Sequence, residues 1–391
     1  MQDAPTGLKR YRLLAITAAA LLILVIIGWL VFPRLEKSWA APMGPALELP
    51  TYTPTRPLPT ATEAEPTDLP PTSLAFSDIQ TSTHTPEPTA TIAPTSTPEP
   101  LCGGPPVMYI LGVGVDTEDD NYRYGLGDAI RVARVDFVTP KVTVLSLPRD
   151  LWVEIPGISQ HYGITHGKLN QSFLYGGPGM GYYDGPGQGP GLMARTLDQN
   201  FGLRPDHYGA VNMITFERIV NAVGGVDVYL PTDVDGTANK IRRENMGYFY
   251  AGNNHFTGNE ALRFSRIRKG IGDFNRADNQ TLVLCALKEK LVSPSVLPKI
   301  PQIINAFKDS VVTDLSLEQM SQLACLLPHL KRENLVFSSL PEEIFQEGMI
   351  YSEQMRNNTF ALQADPQVVR GYIEQFMAGT WSGDGEETTC P

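Results

Sequence analysis

Two aspartates and one arginine follow strand-like runs at positions where they could hold a metal ion and a phosphate. Asp116 ends the apolar run 107–115, and Asp128 follows twelve residues later. Arg149 comes shortly after a second apolar run, 142–147. Ligand sites in open α/β sheets usually form at the carboxyl ends of the strands. Carboxylate oxygens suit Mg²⁺ or Mn²⁺ better than zinc, so the pattern predicts a hard divalent cation beside an anion.

More cations occur later in the chain, in an arrangement that favours diphosphate binding. Arg266 and Arg268 alternate by two, which would place both on one face of an extended segment. Arg276 is predicted to open a helix that also carries Gln280. The planar guanidinium group binds two phosphate oxygens at once. Such clamps supply most of the stabilisation in phosphoryl transfer.

Five further motifs continue this pattern in a fixed order. They are Lys-Leu-Asn-Gln-Ser at 168–172, Tyr-Gly-Gly at 175–177, Val-Gly-Gly-Val-Asp-Val at 223–228, Gly-Asn-Glu-Ala-Leu-Arg-Phe-Ser-Arg-Ile-Arg at 258–268 and Gly-Asp-Phe-Asn-Arg-Ala-Asp-Asn-Gln at 272–280. Together with Asp116, Asp128 and Arg149, this series resembles the LytR-CpsA-Psr family over roughly residues 105–330.

The resemblance implies a membrane-anchored bacterial phosphotransferase that attaches glycopolymers to the cell wall. Its substrate would be a polyprenyl-diphosphate-linked glycopolymer, with the isoprenoid chain in an apolar groove between sheet and helices. The acceptor would be peptidoglycan-like. The implied roles are Mg²⁺ or Mn²⁺ binding by Asp116 and Asp128, catalysis and diphosphate binding by Arg149, Arg266 and Arg268, substrate binding by Lys168, Arg276 and Gln280, and deprotonation of the acceptor by Asp273.

The chain departs from the family pattern at two positions. Leu126 stands two residues before the second aspartate, where the family usually has Arg, and Asn279 stands where a second Arg often precedes the glutamine. The site is therefore one cation short unless Arg123 or Arg131 replaces it. This departure supports an alternative function, that of a non-catalytic envelope protein which binds polyprenyl phosphate lipids.

Each of these residues also has a plain structural explanation. Asp116 alone could cap a turn, Arg149 and Asp150 could form a surface ion pair, and Arg266 and Arg268 could lie on an exposed strand face. Their joint occurrence in family order favours the site. The histidines lack helical metal-ligand spacing, and no serine lies in a Gly-x-Ser-x-Gly motif.

The amino-terminal region predicts a membrane anchor. Residues 13–32 contain no charged side chain, and twenty such residues span a bilayer as a helix. Lys9, Arg10 and Arg12 precede them, which places residues 1–12 in the cytoplasm and the rest outside. The alternative is a signal peptide cleaved near Ser38-Trp39-Ala40. Both interpretations export the remainder of the chain.

Composition divides the exported part into three segments. Residues 33–101 are rich in Pro and Thr and predict a disordered stalk. Residues 102–379 would form the catalytic domain, and 380–391 an acidic tail. The net charge of −11 argues against binding to nucleic acid. With the outward topology, it also argues against a transcriptional regulator.

Hydrophobic patterning predicts an α/β domain. Strand-like and helix-like runs interleave, which favours a three-layer α-β-α sandwich around a mixed central sheet. The predicted strands are 107–115, 130–138, 142–147, 207–213, 226–230 and 334–339. The predicted helices are 190–201, 214–223, 258–264, 275–292, 298–309 and 316–328, and residues 358–377 predict a short strand followed by a helix.

Two features have more than one interpretation. Four cysteines in an exported domain permit two disulfides, and we favour Cys285–Cys325 with Cys102–Cys390 over other pairings or free thiols. The glycine-rich stretch 176–191 is either a mobile loop over the site or a plain surface loop. Its glycines lack the order of a dinucleotide-binding motif.

Overall fold

The computed structural model describes residues 39–50, 98–118, 122–238, 244–268, 274–307, 309–381 and 388–390. No helix within these ranges is both long and apolar enough to cross a membrane. The predicted span 13–32 lies outside them, as do Asp273 and most of the predicted stalk and tail.

The described residues form an α/β domain. Its strands are β1 Val107–Val115, β2 Gly127–Asp136, β3 Lys141–Leu147, β4 Trp152–Glu154, β5 His166–Lys168, β6 His207–Asn212, β7 Val226–Leu230, β8 Val234–Asp235, β9 Tyr248–Phe249, β10 Gly252–Phe256, β11 Val312–Thr313, β12 Leu335–Ser339, β13 Gln346–Ser352, β14 Asn357–Gln363 and β15 Thr388–Thr389. Its α-helices are α1 Leu169–Gly176, α2 Gln188–Phe201, α3 Met213–Ala222, α4 Gly258–Ser265, α5 Phe274–Leu291, α6 Ile300–Phe307, α7 Leu317–Leu326 and α8 Pro366–Ala378.

The central sheet is mixed and has the strand order β11-β6-β1-β2-β3-β12-β15. Strand β1 pairs with β2 antiparallel and with β6 parallel, and β3 pairs with β12 parallel. The predicted mixed sheet is thereby confirmed. The hairpins β7–β10, β13–β14, β4–β5 and β8–β9 lie outside it as separate two-stranded sheets.

Side chains along β1 alternate in size between the two faces of the sheet. Leu111, Val113 and Val115 belong to the main hydrophobic core, and Val113 and Val115 also border a cavity. The intervening Gly112 and Gly114 line this cavity without a side chain. Successive residues of a strand point to opposite faces. The sequence of β1 therefore gives the sheet one bulky face and one open face.

Helices α1, α2 and α8 cover the bulky face. Their side chains pack with those of β1, β2, β3 and β6 into the main core, through buried residues such as Phe173, Leu192 and Phe376. Over the open face, α3, α4 and α5 form a second core with the β7–β10 hairpin, which includes Phe256, Phe264 and Val283 in its interior. The domain thus has helices on both faces of its sheet.

Polar caps fix where several helices begin. The Gln171 side chain accepts a hydrogen bond from the backbone nitrogen of Lys168 at 2.8 Å, at the start of α1. Thr257 and Glu260 form a capping box at α4, and Ser316 and Gln319 form another at α7. Each cap satisfies amide groups that the first helical turn leaves unpaired.

The predicted disulfide pairing is wrong. The structure links Cys102 to Cys325 and Cys285 to Cys390. Cys325 lies on α7, which packs against the turn containing Cys102. The carboxyl-terminal strand β15 pairs with β12 and brings Cys390 beside Cys285 on α5. The positions of Cys285 and Cys325 in the sequence do not reveal which cysteine packs beside each of them in the fold.

Part of the predicted stalk packs on the domain. The Tyr208 hydroxyl donates to the carbonyl of Pro45 at 3.0 Å, and Leu47 and Leu49 pack against the main core. The backbone of Met43 donates to the carbonyl of Leu315 at 3.4 Å. Residues 39–49 therefore differ from the predicted disordered stalk.

Candidate active site

A cavity of about 1010 Å³ lies between the open face of the sheet and helices α3, α4 and α5. Its walls are mostly apolar. The apolar lining residues are Ile110, Val113, Val115, Ala129, Ala133, Val144, Val211, Met213, Phe216, Met246, Leu262, Val283 and Leu284. Its size matches the upper range of small-molecule sites.

Glycines on the sheet create this space. Gly112 and Gly209 lie opposite each other on β1 and β6. A Cβ atom at Gly209 would meet no heavy atom within 4 Å, and one at Gly112 would meet only the Arg131 carbonyl, at 3.7 Å. The cavity therefore exists because neighbouring strands carry no side chain there.

Charged groups gather at one part of the cavity lining, around Asp128. In the pairing of β1 with β2, Gly114 faces Ala129 and Val115 faces Gly127, so Asp128 is the extra residue of a β-bulge. Bulges often occur beside active sites, where they redirect a side chain. Here the bulge leaves Asp128 out of the ladder, and Asp128 lies in the cavity lining.

Three arginines converge on the Asp128 carboxylate. Arg149 forms an ion pair with it, Arg276 Nη1 lies at 3.5 Å from Oδ2, and Arg268 Nη2 lies at 3.9 Å. Arg276 also donates to the Asp128 carbonyl. Residues from β2, the end of β3, the segment after α4 and the start of α5 are thus brought together, as the sequence predicts.

Asp116 lies beside this cluster, at the end of β1. Its Oδ1 accepts a hydrogen bond from the Leu126 amide at 2.6 Å, and its own amide donates to the Leu126 carbonyl at 3.0 Å. Partial burial raises the pKa of Asp116, and the neighbouring charge of Asp128 adds to this effect. The backbone of Leu126 positions Asp116. Because no side-chain atom of residue 126 takes part, this contact does not depend on which residue stands there.

Arg131 brings a further cation to the cavity wall. It is buried on β2 and donates to Ala277 O at 2.9 Å, to Thr281 Oγ1 at 3.3 Å and to Gln280 Oε1 at 3.4 Å. Burial lowers its pKa to about 10, and the charge of Arg276 contributes in the same direction. Arg131 therefore remains charged at neutral pH and ties α5 to the sheet. Of the two suggested replacements for the missing arginine, it lines the cavity, whereas Arg123 is exposed on the preceding loop.

Lys168 is linked to the arginine cluster through Asp150, which contacts both Lys168 and Arg149. Its Nζ contacts Asp150 Oδ1 at 2.8 Å, and Arg149 Nε contacts Asp150 Oδ2 at 3.3 Å. Burial alone would raise the pKa of Asp150, but the hydrogen bond from Lys168 and the charge of Arg149 hold it below its ordinary value. Asp150 thus orients Arg149, and Lys168 orients Asp150.

Arg266 and Gln280 also line the cavity, but the sequence interpretation of Arg266 needs correction. Arg266 ends α4 with helical backbone angles, so it does not share an extended strand face with Arg268. Its guanidinium group contacts Glu244 at 2.9 Å. Gln280 donates to the Ser265 carbonyl at 3.5 Å, and it lies on the helix that Arg276 was predicted to open.

Asn170 was not assigned a role from the sequence. Its Nδ2 donates to Asp128 Oδ1 at 3.1 Å, from the first turn of α1. Its place in the Lys-Leu-Asn-Gln-Ser motif was the available signal. The glycine-rich stretch contributes no residue to the cavity lining; the Gly179 amide instead donates to the Arg123 carbonyl at 3.0 Å.

The carboxylates present fit a magnesium-type ion. Across the described part of the chain, no group of three or more His, Cys, Asp or Glu side chains is placed to hold a metal. Mg²⁺ commonly binds one or two carboxylates and completes its coordination with phosphate oxygens and water. Asp116 and Asp128 supply such a pair, and both line the same cavity.

The fold and the site define an α/β protein with a largely apolar cavity whose lining includes a carboxylate surrounded by arginines. The model of the LytR_cpsA_psr family matches residues 82–368, and the chain belongs to this family. The resemblance of the motifs is thereby confirmed.

Named relatives are similar over part of their length. The chain is 30% identical over 219 residues to the polyisoprenyl-teichoic acid–peptidoglycan teichoic acid transferase TagU of Enterococcus faecalis, covering 55% of this chain and 64% of TagU. It is 29% identical over 190 residues to the regulatory protein MsrR of Staphylococcus aureus, covering 48% of this chain and 51% of MsrR. The matched segment thus spans about half to two thirds of these relatives.

Solved structures share the fold. The crystal structure of B. subtilis TagV aligns with a TM-score of 0.53 at 25% identity, covering 70% of this chain and 97% of TagV. A structure of TagT bound to LIIa-WTA aligns with a TM-score of 0.51 at 21% identity, covering 70% of this chain and 90% of TagT.

Proposed function

We propose that this protein transfers a glycopolymer phosphate from a polyprenyl-diphosphate carrier to a hydroxyl group of a peptidoglycan-like acceptor. One observation carries the proposal: the lining of a cavity with mostly apolar walls includes a carboxylate on which three arginines converge. A prenyl chain needs the apolar walls, and a diphosphate needs the cations. The name of the relative TagU, a polyisoprenyl-teichoic acid transferase, supports the same substrate class.

In this proposal the prenyl chain lies along the glycines of β1 and β6, and the diphosphate lies beside Asp128. Arg149, Arg268 and Arg276 neutralise the charge that develops on the phosphate oxygens. Preorganised cations in a site shielded from water stabilise such charge more strongly than water does. Arg266 and Gln280 would bind the head group from the α4 and α5 side, and Lys168 would keep Asp150 and Arg149 in place.

Asp116 and Asp128 would hold Mg²⁺ or Mn²⁺ at this site. The bound ion would neutralise part of the diphosphate charge. Asp128 would then be shared between the ion and the arginines, and Asn170 would hold its second oxygen. The Leu126 backbone would fix Asp116.

The reaction exchanges one phosphorus–oxygen bond for another. The acceptor oxygen bonds to the phosphorus that carries the glycopolymer, and the bond from that phosphorus to the prenyl phosphate oxygen breaks. Polyprenyl phosphate leaves, and the acceptor hydroxyl proton passes to a base. Asp273 is our candidate for that base on the family resemblance, and it lies outside the described residues.

The proposed location is the outer face of the cytoplasmic membrane. The uncharged stretch 13–32, preceded by three basic residues, supports a single-pass anchor with the domain outside. This location would give the enzyme both a membrane-bound donor and a cell-wall acceptor.

A transfer assay on the full-length protein in detergent tests the proposal. The assay supplies a polyprenyl-diphosphate-linked sugar, an oligosaccharide acceptor and Mg²⁺ or Mn²⁺. Arg149→Ala should reduce the rate by about 100- to 1000-fold, since it removes one charged clamp from the transition state. Arg149→Lys keeps the charge but loses the bidentate contact of the guanidinium group. Its transfer rate should therefore lie between those of the wild type and Arg149→Ala.

Two controls make the result specific. Thermal melting of Arg149→Ala checks that the fold survives, and Lys331→Ala removes an exposed cation far along the chain from the cluster. Transfer by Arg149→Ala at the wild-type rate would refute the site. A wild type that binds the lipid but never transfers would establish the alternative, a lipid-binding envelope protein. A faster Leu126→Arg variant would show that the missing cation limits the rate.

A further inference from the structure

An exposed tyrosine occupies an unfavourable backbone conformation in the loop between β4 and β5. Tyr162 is 70% exposed and has a φ of 58°. Gly163 follows with a φ of 71°, and the Ile164 amide donates to the His161 carbonyl at 3.1 Å, which closes the turn. Turns with two positive φ angles favour Asn and Gly. A large aromatic ring there has a conformational cost that burial does not offset.

The Tyr162 ring belongs to an aromatic surface, which we define as His161, Tyr162 and Tyr182. The His161 and Tyr182 rings stack with centroids 4.4 Å apart and an interplanar angle of 11°. Tyr162 lies 6.2 Å from Tyr182 at an angle of 55°. Tyr175, from the end of α1, supports Tyr182 from beneath at 5.8 Å. The rings therefore hold one another in place while Tyr162 faces solvent.

A chain of polar contacts joins this surface to the charged residues Asp128, Arg149, Arg268 and Arg276, which we call the diphosphate cluster. The Tyr175 hydroxyl donates to Gln354 Oε1 at 2.7 Å, and Gln171 Nε2 donates to the same oxygen at 3.4 Å. Gln171 caps the helix at Lys168, which contacts Asp150.

The distance suits a short saccharide. Asn170, which contacts Asp128, precedes Tyr175 by five residues on α1. This spacing corresponds to about 7.5 Å along the helix axis. Together with the Tyr175–Tyr182 separation, this rise gives a path from Asn170 to the aromatic surface on the order of 10–15 Å long.

The chemistry of the surface matches a carbohydrate. Tyrosine and histidine rings present an apolar body with a polar tip. Sugar rings have apolar C–H faces and polar rims, so both parts find a partner on such a surface. The apolar cavity includes none of the three residues of the aromatic surface, and Tyr182 packs against the main core instead.

We propose that the aromatic surface binds the glycan strand of the acceptor and guides its hydroxyl group to the diphosphate cluster. This proposal rests on the transferase function above, and it adds the place where the acceptor binds. In this proposal Tyr162 contributes to specificity for the acceptor glycan. Contact of its ring with the glycan is the reason that a tyrosine occupies this unfavourable backbone conformation.

Binding and transfer measurements on the full-length protein test the proposal separately. The probe is a tetrasaccharide of β-1,4-linked N-acetylglucosamine, titrated by nuclear magnetic resonance or calorimetry. Tyr162→Asn removes the ring but keeps a residue that tolerates positive φ. It should weaken tetrasaccharide binding and raise the KM for the acceptor by about tenfold, the effect of one aromatic contact. The KM for the donor should stay unchanged, and the melting temperature should not fall.

Tyr250→Ala is the matched control, because Tyr250 is 69% exposed and lies beside β9 instead. It should leave tetrasaccharide binding unchanged. Equal tetrasaccharide binding by wild type and Tyr162→Asn would overturn the proposal, as would a changed oligomeric state or a raised KM for the donor alone. If Tyr162→Asn loses tetrasaccharide binding but the wild type never transfers, the glycan surface stands and the transferase function fails.

Discussion

The two faces of the central sheet are built from neighbouring residues of the same strands, yet one face is packed and the other is open. On β1, Leu111 is fully buried, while the next residue, Gly112, lines the cavity. On β6, Tyr208 and Ala210 lie in the main core, while Gly209 between them lines the cavity. One face thus supplies stability and the other supplies a binding site.

This difference arises from side-chain size and not from the backbone. Both faces share the same hydrogen-bonded ladder, so the sheet stays rigid where it is open. A rigid sheet surface without side chains can accept a long apolar ligand, and the cavity does not have to collapse when the ligand leaves. Changes to the two faces should therefore have opposite consequences for stability and for ligand binding.

The largest effect on stability is expected on the packed face. Leu111→Ala should lower the free energy of unfolding by about 2–5 kcal/mol, because it removes buried methyl groups and leaves a void. Urea denaturation measures this directly. Since Leu111 does not line the cavity, folded Leu111→Ala should bind prenyl diphosphates with wild-type affinity. A loss of under about 0.5 kcal/mol would contradict the packed-face account.

A smaller effect is expected beside the arginine cluster, at the ion pair of Asp150 with Lys168. Asp150→Asn should cost about 1.5–3 kcal/mol at pH 7, the contribution of hydrogen bonds to a buried charge. The folded pKa of Asp150 lies below its ordinary value of 3.8, so its contribution is present above that pH and is lost as the pH falls through the folded pKa. The difference between wild type and Asp150→Asn should therefore shrink with acidification. Urea denaturation at pH 7 and at pH 3 checks this, and a difference that grows with acidification would reverse the assignment.

Much of the fold follows from the sequence where patterning is strong. The predicted strand 107–115 coincides with β1, and 226–230 coincides with β7. The predicted strand and helix at 358–377 correspond to β14 and α8. Apolar alternation decides these elements. The helix α1 has eight residues and the strands β4 and β5 have three each, and they went unpredicted because such short segments carry little periodic signal.

The site was predictable in composition but not in arrangement. Asp116, Asp128, Arg149 and Arg276 do meet, and motif order was enough to find them. The β-bulge at Asp128 was not predictable, because it depends on the register with β1. The disulfide partners depend in the same way on how α5 and α7 pack. The alternating Gly112 and Gly114 were the sequence signal for the cavity, since two glycines on one face of a strand leave that face open.

The smallest change in structure should come from partly filling the open face. A side chain at Gly209 meets open space, and β-branched residues favour strands. Gly209→Val should therefore leave the melting temperature unchanged or raise it. Gly348→Val makes the same exchange on β13, where a Cβ also meets no atom within 4 Å, and serves as the matched control.

The affinity of these three proteins for inorganic diphosphate and for geranylgeranyl diphosphate tests the central claim most directly. In the wild type, the prenyl chain should increase affinity by at least about tenfold, because its apolar surface leaves water. Gly209→Val should lose most of that increase, yet bind inorganic diphosphate as the wild type does, and Gly348→Val should match the wild type throughout. Equal affinity of the wild type for both ligands, or full retention of the prenyl contribution in Gly209→Val, would contradict the account.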